Sequence, residues 1–117
     1  MIEGAVTDEG VPTITIDLAG RRWTAVIDTG FNGDLELPVE LKDVLPLRYL
    51  GRVTSTLAAG QVVSEEVYQI ELPFDGKLVT ASATFAPVVE VLLGTRLIQS
   101  HRLEIDFPAQ TVLLQRS

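Results

Sequence analysis

Hydrophobic and polar residues alternate with a period of two along most of the chain, which is the pattern of β-strands. In residues 13–18 (TITIDL) this alternation places Ile14, Ile16 and Leu18 on one face of a strand. Similar alternation, or a high content of Val, Thr and Tyr, predicts further strands along the chain. These predicted strands are residues 23–28, 35–37, 49–57, 62–72, 77–85, 88–93, 103–107 and 111–115.

Short turn signals separate the predicted strands and indicate how they are joined. Residues 19–21 (AGR), 75–76 (DG) and 108–110 (PAQ) predict tight turns between antiparallel neighbours. Residues 58–61 (AAGQ) predict the small, pliable tip of a long hairpin.

Helical signals are few and short. Residues 38–44 predict a short helix, because Pro38 suits the first helical position, and residues 95–100 have room for only a turn or two. The prediction for residues 1–117 is one all-β domain, mainly antiparallel, closed and barrel-like, with one or two short helices.

Composition and charge narrow the range of partners. The 117 residues carry a net charge of −7, with Lys plus Arg numbering 9 against 16 Asp plus Glu. An acidic surface of this kind repels phosphate backbones and anionic lipid, so neither nucleic acid nor a membrane is expected as a partner. No apolar segment approaches the ~20 residues that cross a bilayer, and no signal peptide is visible, so a cytoplasmic location is expected.

The residue types available also limit cofactor chemistry. The chain has no cysteine, which excludes disulfides and thiolate metal sites. Asp34, Glu36 and Glu40 lack the spacing of a calcium loop and are interpreted as a solvated acidic edge. His101, the only histidine, is expected at the surface or at a helix end. No metal and no cofactor is therefore predicted.

The segment most informative about function is residues 25–30 (AVIDTG), where an apolar strand runs into Asp28, Thr29 and Gly30. One interpretation is structural, since Asp, Thr and Gly all suit the turn that ends a strand. A second segment, residues 91–94 (VLLG), favours a functional interpretation, because another apolar strand there ends in glycine before the predicted helix.

The order of these segments resembles that of the retropepsin-type aspartic proteases. Residues 28–30 are followed by the hairpin tip at residues 58–60 and then by residues 92–94, and the resemblance extends over residues 12–114. More narrowly, the motif ending at Phe31 (DTGF) is similar to that of a small prokaryotic group of single-domain retropepsin-like proteins.

The resemblance implies an acid-protease fold and the hydrolysis of peptide bonds by a water activated between two aspartates. Two adjacent carboxylates share one proton, so that one acts as a base and the other as an acid. Because the sequence contains a single Asp-Thr-Gly, a homodimer must bring Asp28 against Asp28 of a second copy. A peptide or protein is the implied substrate.

The resemblance also implies roles for the neighbouring residues. Asp28, Thr29 and Gly30 form the catalytic motif: the Thr29 hydroxyl braces the partner's loop, and Gly30 lets the backbone approach the carboxylate and substrate. The implied substrate-binding residues are Phe31, Ala58, Ala59 and Gly60, and those that support the active loop are Leu92, Leu93 and Gly94.

Three features depart from the family pattern. Phe31 stands where retroviral relatives usually carry a small residue, and Gly94 is followed by Thr95-Arg96 rather than directly by Arg. The terminal segments do not match the interleaved ends of retroviral dimers. Two alternatives therefore stay open: the same fold as a peptide- or protein-binding module that does not cleave, and an unrelated β-barrel in which residues 28–30 are only a turn.

Overall fold

The computed structural model describes residues 1–117, which form ten β-strands and one short 3-10 helix. Every strand predicted from the sequence is present, and β1 is an additional one. The strands are β1 (Ile2–Val6), β2 (Pro12–Leu18), β3 (Arg21–Ile27), β4 (Leu35–Pro38), β5 (Arg48–Thr56), β6 (Val62–Phe74), β7 (Lys77–Ala86), β8 (Val91–Leu93), β9 (His101–Asp106) and β10 (Thr111–Arg116). The 3-10 helix, Val39–Asp43, lies between β4 and β5.

All ten strands belong to one sheet with the order β5-β6-β7-β4-β8-β3-β2-β1-β10-β9. Neighbouring strands are antiparallel except β3 with β8 and β4 with β7, which are parallel. The predicted all-β, mainly antiparallel fold is thus confirmed. The sheet differs from the expected closed barrel in one respect: β5 and β9 remain unpaired edges. The turn between β6 and β7 contacts β9 and β10, at the other end of the sheet, through side chains and not through backbone hydrogen bonds between strands.

The predicted tight turns join β2 to β3 and β6 to β7. In both, the two central residues have positive φ: 53° and 76° at Ala19 and Gly20, and 51° and 77° at Asp75 and Gly76. Two-residue turns of this handedness match the twist of the flanking strands, which explains why these hairpins are tight.

The helical predictions are confirmed only in part. Pro38 ends β4 and precedes the 3-10 helix instead of beginning it. Residues 95–100 form consecutive turns, in which Ile98 N–H donates to Thr95 O at 3.2 Å and His101 N–H donates to Ile98 O at 2.9 Å. Both bonds span three residues, as in isolated turns, and not the four residues of an α-helix.

The core lies on one face of the curled sheet. Ile14, Ile16 and Leu18 of β2 are all buried, as the alternation of this strand predicts. Trp23 of β3 pairs with Ile16, and its indole N–H donates to Leu18 O at 3.2 Å, which satisfies the one polar group of this buried ring. Leu72 of β6 is fully buried in the same cluster.

A charged cluster joins the two ends of the curled sheet. Asp75 accepts hydrogen bonds from the amino group of Met1 and from His101 Nε2, the latter at 2.9 Å. The guanidinium of Arg116 lies 3.7 Å from the same carboxylate. His101, expected at the surface or at a helix end, directly follows the turns of residues 95–100 but is not at the surface. Its side chain is 4% exposed, because it packs edge-on against Phe74 with ring centroids 5.6 Å apart.

Hydrogen bonds from the Met1 amino group and from His101 lower the pKa of Asp75 from its ordinary value. A lowered pKa in the folded state means that the unfolded chain binds more protons, so the stabilisation is present above about pH 4 and is lost as the pH falls below it. We therefore expect Asp75→Asn to lower the free energy of unfolding at pH 7, and to lower it progressively less below pH 4. Urea unfolding at a series of pH values measures both effects.

Asp17→Asn is the matched control for this prediction. The Asp17 carboxylate is 62% exposed and lies 3.7 Å from the exposed Arg22, so its removal should change stability little. Equal losses in the two variants would contradict a stabilising role for the Asp75 cluster.

Candidate active site

The candidate active loop, residues 28–34, begins where β3 ends and leads into β4. The Asp28 N–H donates to Leu93 O at 2.9 Å, which extends the parallel pairing of β3 with β8 by one residue. The backbone of Asp28 is therefore fixed to the end of β8, and its half-buried side chain stands at the carboxyl ends of two parallel strands.

The Asp28 carboxylate is oriented by its own loop. Oδ1 accepts a hydrogen bond from Gly30 N–H at 2.9 Å, and Phe31 N–H donates to Asp28 O at 3.1 Å. A Cβ on Gly30 would lie only 3.2 Å from Oδ1. Since the φ angle of Gly30 is not positive, glycine provides space beside the carboxylate here, not an unusual backbone conformation.

Thr29 points outward from the loop. It is exposed, and its hydroxyl makes no hydrogen bond within the chain. It lies at a shallow depression of about 510 Å³ between the loop and β9. The other residues that line this depression are Asn32, Thr95, Arg96, Ile98, Gln99 and Leu103.

The segment after β8 holds the candidate loop in place through backbone hydrogen bonds and the buried Leu93. Leu93 is fully buried below the loop, whereas Leu92 is half-buried on the other face of β8. Three backbone hydrogen bonds join the two segments: Gly94 N–H to Asp34 O (2.9 Å), Thr95 N–H to Phe31 O (2.9 Å) and Arg96 N–H to Gly33 O (3.2 Å).

The Phe31 ring packs on two glycines of these segments. A Cβ on Gly33 would lie 2.7 Å from the ring, and a Cβ on Gly94 would lie 2.8 Å from it. The same Cβ on Gly94 would lie 2.1 Å from Gly33 O, so no side chain fits at position 94. Sequence reasoning did not single out Gly33; the only signal for it was a second glycine close behind the Asp-Thr-Gly motif.

The interpretation of Asp34 as part of a solvated edge is wrong. Its side chain is buried, and Oδ2 accepts hydrogen bonds from both the N–H (2.8 Å) and the Oγ (3.1 Å) of Ser82 on β7. Glu40 is exposed, as expected. Asp34 therefore connects the candidate loop to a strand that is 48 residues away in sequence.

Glu36, which was also expected on a solvated edge, is not fully exposed either. It is half-buried in β4 and pairs with Leu92 across the sheet. Burial, with a smaller contribution from the nearby Glu65, raises the pKa of Glu36 from its ordinary value.

The predicted hairpin of β5 and β6 extends from the body of the molecule. Ala58, Ala59 and Gly60 form its tip: Gly60 N–H donates to Leu57 O at 2.9 Å, and the φ of Gly60 is 80°. This is a three-residue hairpin loop with glycine in the left-handed region. All three tip residues are exposed, and no hydrogen bond joins them to residues 28–31.

The chain supplies one candidate catalytic carboxylate. No cluster of three or more His, Asp and Glu side chains has the arrangement of a metal site. None of the helical segments has the length and apolar character required to pass through a membrane.

Known proteins resemble the chain in structure but not in sequence. No family model and no curated protein matches the sequence. The structure is similar to that of a retropepsin-like aspartic protease from Rickettsia conorii, with a TM-score of 0.68 at 19% identity over 97% of this chain and 88% of that one.

Two viral proteases are similar in the same way. The Simian Foamy Virus (mac) protease has a TM-score of 0.58 at 19% identity, over 74% of this chain and 91% of its own. The EIAV protease in complex with the inhibitor HBY-793 has a TM-score of 0.61 at 16% identity, over 80% of this chain and 89% of its own. The chain thus has the fold of the retropepsin-like aspartic proteases.

Proposed function

We propose that the protein is an aspartic endopeptidase that works as a homodimer, in which Asp28 of the two copies forms the catalytic dyad. The observation that carries this proposal is the position of Asp28. Its backbone is bonded to Leu93 at the end of β8, and its carboxylate is oriented by Gly30 N–H on a fold that known aspartic proteases share.

A second copy is required because one chain provides only one such carboxylate. Two carboxylates at about 3 Å do not both ionise, so the pair holds one proton. The ionised carboxylate takes a proton from a water molecule, and the water oxygen bonds to the scissile carbonyl carbon. The protonated carboxyl group donates to the carbonyl oxygen, and a proton then passes to the leaving nitrogen as the C–N bond breaks.

The residues around Asp28 limit its movement and so favour this chemistry. The hydrogen bond from Gly30 N–H favours one orientation of Oδ1. The Asp34 carboxylate accepts a hydrogen bond from Ser82 N–H, which connects the loop to β7. The Asp34 carbonyl accepts one from Gly94 N–H, which connects the loop to the segment after β8. The exposed Thr29 hydroxyl, which has no partner within the chain, is available to bond the loop of a second copy across the two-fold axis.

We further propose that the tip of the β5–β6 hairpin covers an extended peptide substrate. Ala58, Ala59 and Gly60 have small side chains, so their backbone groups are accessible to a strand laid beside them. Phe31 contributes a half-buried ring next to the dyad and sets the size of the adjoining substrate position. The alternative of binding without cleavage rests on the same residue, because Phe31 stands where retroviral relatives usually carry a small residue.

Asp28→Asn should lower kcat/KM for peptide cleavage by at least about 10³-fold, because it removes the groups that transfer protons. The dimer should persist or become tighter, since the substitution removes the repulsion between two carboxylates. Cleavage of a diverse peptide library, read by mass spectrometry, measures the first effect, and sedimentation velocity measures the second.

Asp17→Asn is the control for a lost carboxylate, because Asp17 is exposed on β2 and forms no part of the site. Full activity of Asp28→Asn would disprove the dyad. Peptide binding by the native protein without any new peptide termini would favour the binding module, and Phe31→Ala would then be the first variant to examine for cleavage.

Activity should rise as the pH falls from 7 to about 5, because the dyad requires one of its two carboxyl groups to be protonated. Initial rates on one peptide at saturating and limiting concentrations give kcat and kcat/KM across this range. Stability measured in the same buffers excludes unfolding as the cause of any loss. A flat profile in both constants would argue against a shared proton.

A further inference from the structure

A row of four side chains crosses the face of the sheet that is turned away from the core. Val26 of β3 pairs with Leu92 of β8, and Leu92 pairs in turn with Glu36 of β4. Glu36 also pairs with Thr84 of β7, so this cross-strand row extends over four adjacent strands. The residues that flank each member along its strand belong to the core or pack against it, so the row itself occupies the other face.

The cross-strand row lies next to the candidate catalytic carboxylate. Ile27 faces the core, so the alternation of side chains directs Asp28 to the same face as Val26. Asp28 is two residues beyond Val26, or about 7 Å along β3, and Glu36 is two strands from β3, or about 10 Å across the sheet. The row is therefore the sheet surface that an extended peptide held at Asp28 would contact.

Glu36 is the one charged member of the row, and no group of the chain neutralises it. Neither a cation nor a hydrogen-bond donor pairs with its carboxylate; the charge that acts on it is a second carboxylate, that of Glu65 on β6. Asp34, on the same face of β4, differs because its carboxylate already accepts two hydrogen bonds from Ser82. A half-buried carboxylate without a counter-charge is stabilised by any cation that approaches it.

Two cations near the β5–β6 hairpin are already paired with another carboxylate. Lys42 Nζ lies 3.8 Å and Arg52 Nη2 lies 3.4 Å from the carboxylate oxygens of Glu66. Glu65 and Glu66 are neighbours in β6, so their side chains point to opposite faces of that strand. The ion pairs on one face of β6 therefore leave Glu65 and Glu36 without a cation on the other.

We propose that Glu36, assisted by Glu65, selects peptide substrates with a lysine or arginine two residues from the scissile bond. This inference rests on the proposed function, because it names the class of peptide that the proposed site cleaves. Two residues of an extended peptide cover about 7 Å, and a long basic side chain extends across the remaining distance to Glu36. Because the proposed dyad lies on a two-fold axis, each copy supplies one such subsite, and the preference is expected on both sides of the scissile bond.

The surroundings of Glu36 suit a basic side chain. The aliphatic stem of lysine or arginine would pack on Leu92 and Thr84 while its charged end meets Glu36. An arginine would also donate two parallel hydrogen bonds to one carboxylate. The net charge of −7 attracts cationic peptides to the protein. An acidic residue at the same substrate position would face two carboxylates and be rejected.

Peptide libraries test this preference. Three libraries share random flanking residues and differ in one fixed central residue, which is lysine, glutamate or norleucine, a residue with the stem of lysine and no amino group. The native protein should cleave the lysine library tenfold or more faster than the norleucine library, and the glutamate library slowest. Mass spectrometry should place the cuts at the bonds from which the lysine is the second residue.

Glu36 variants show whether the preference depends on this carboxylate. Glu36→Gln retains the shape of the side chain and removes its charge, so the lysine and norleucine libraries should be cleaved at nearly equal rates. Glu36→Lys should favour the glutamate library. Glu40→Gln is the matched control, because it removes a negative charge from an exposed position of the 3-10 helix and should leave the ratio unchanged. An unchanged ratio in Glu36→Gln, or an equal fall in Glu40→Gln, would overturn the proposed subsite.

Binding measured without cleavage separates this inference from the proposed function. Calorimetry of the same libraries with Asp28→Asn and with Asp28→Asn/Glu36→Gln reports the lysine preference in the absence of hydrolysis. A preference that Glu36→Gln removes, without Asp28-dependent cleavage by the native protein, would support the subsite and disprove the protease. Asp28-dependent cleavage with a lysine-to-norleucine ratio independent of Glu36 would support the protease and overturn the subsite. Peptides that are neither bound nor cleaved would disprove both.

Discussion

The parallel pairing of β3 with β8 is the constraint on which the candidate site depends. The hydrogen bond from Asp28 N–H to Leu93 O is the last one between these two strands. It places the Asp28 carboxylate at the carboxyl ends of β3 and β8, whose inward-facing side chains are buried. The loops that follow these strands are hydrogen-bonded to each other, by Gly94 N–H to Asp34 O and by Arg96 N–H to Gly33 O. The same Asp-Thr-Gly motif on an isolated turn would lack the hydrogen bond to Leu93, because β8 comes from a distant part of the chain.

Contacts between distant segments explain why β1 and the burial of Asp34 were not predictable from the sequence. Most strands were predictable because their alternation is local, as in β2. β1 was not, because Gly4 breaks its pattern; a Cβ there would lie 2.1 Å from Thr13 O, so the glycine is set by the neighbouring strand and not by the local sequence. The burial of Asp34 depends on Ser82, which no local pattern of charged residues indicates.

The site was predictable to the extent that it is a sequence motif. Asp28, Thr29, Gly30 and the later Leu93 and Gly94 occupy adjoining segments in the structure, whereas Leu92 lies on the other face of β8; their roles in catalysis stay a prediction. The packing of the Phe31 ring on glycines was not predictable, since it requires the two loops to be placed side by side.

The pairing of β1 with β10 has a consequence for how the chain acquires its fold during synthesis. Ile2 lies opposite Leu114, so β1 is joined along one edge to a strand that is made much later. Contacts between such distant parts of a chain form slowly, because most of the chain must be ordered to bring them together. While translation continues, the edge of β1 that later meets β10 has no partner in its own chain, and it is then that a nascent chain is most exposed to pairing with a neighbour on the same message.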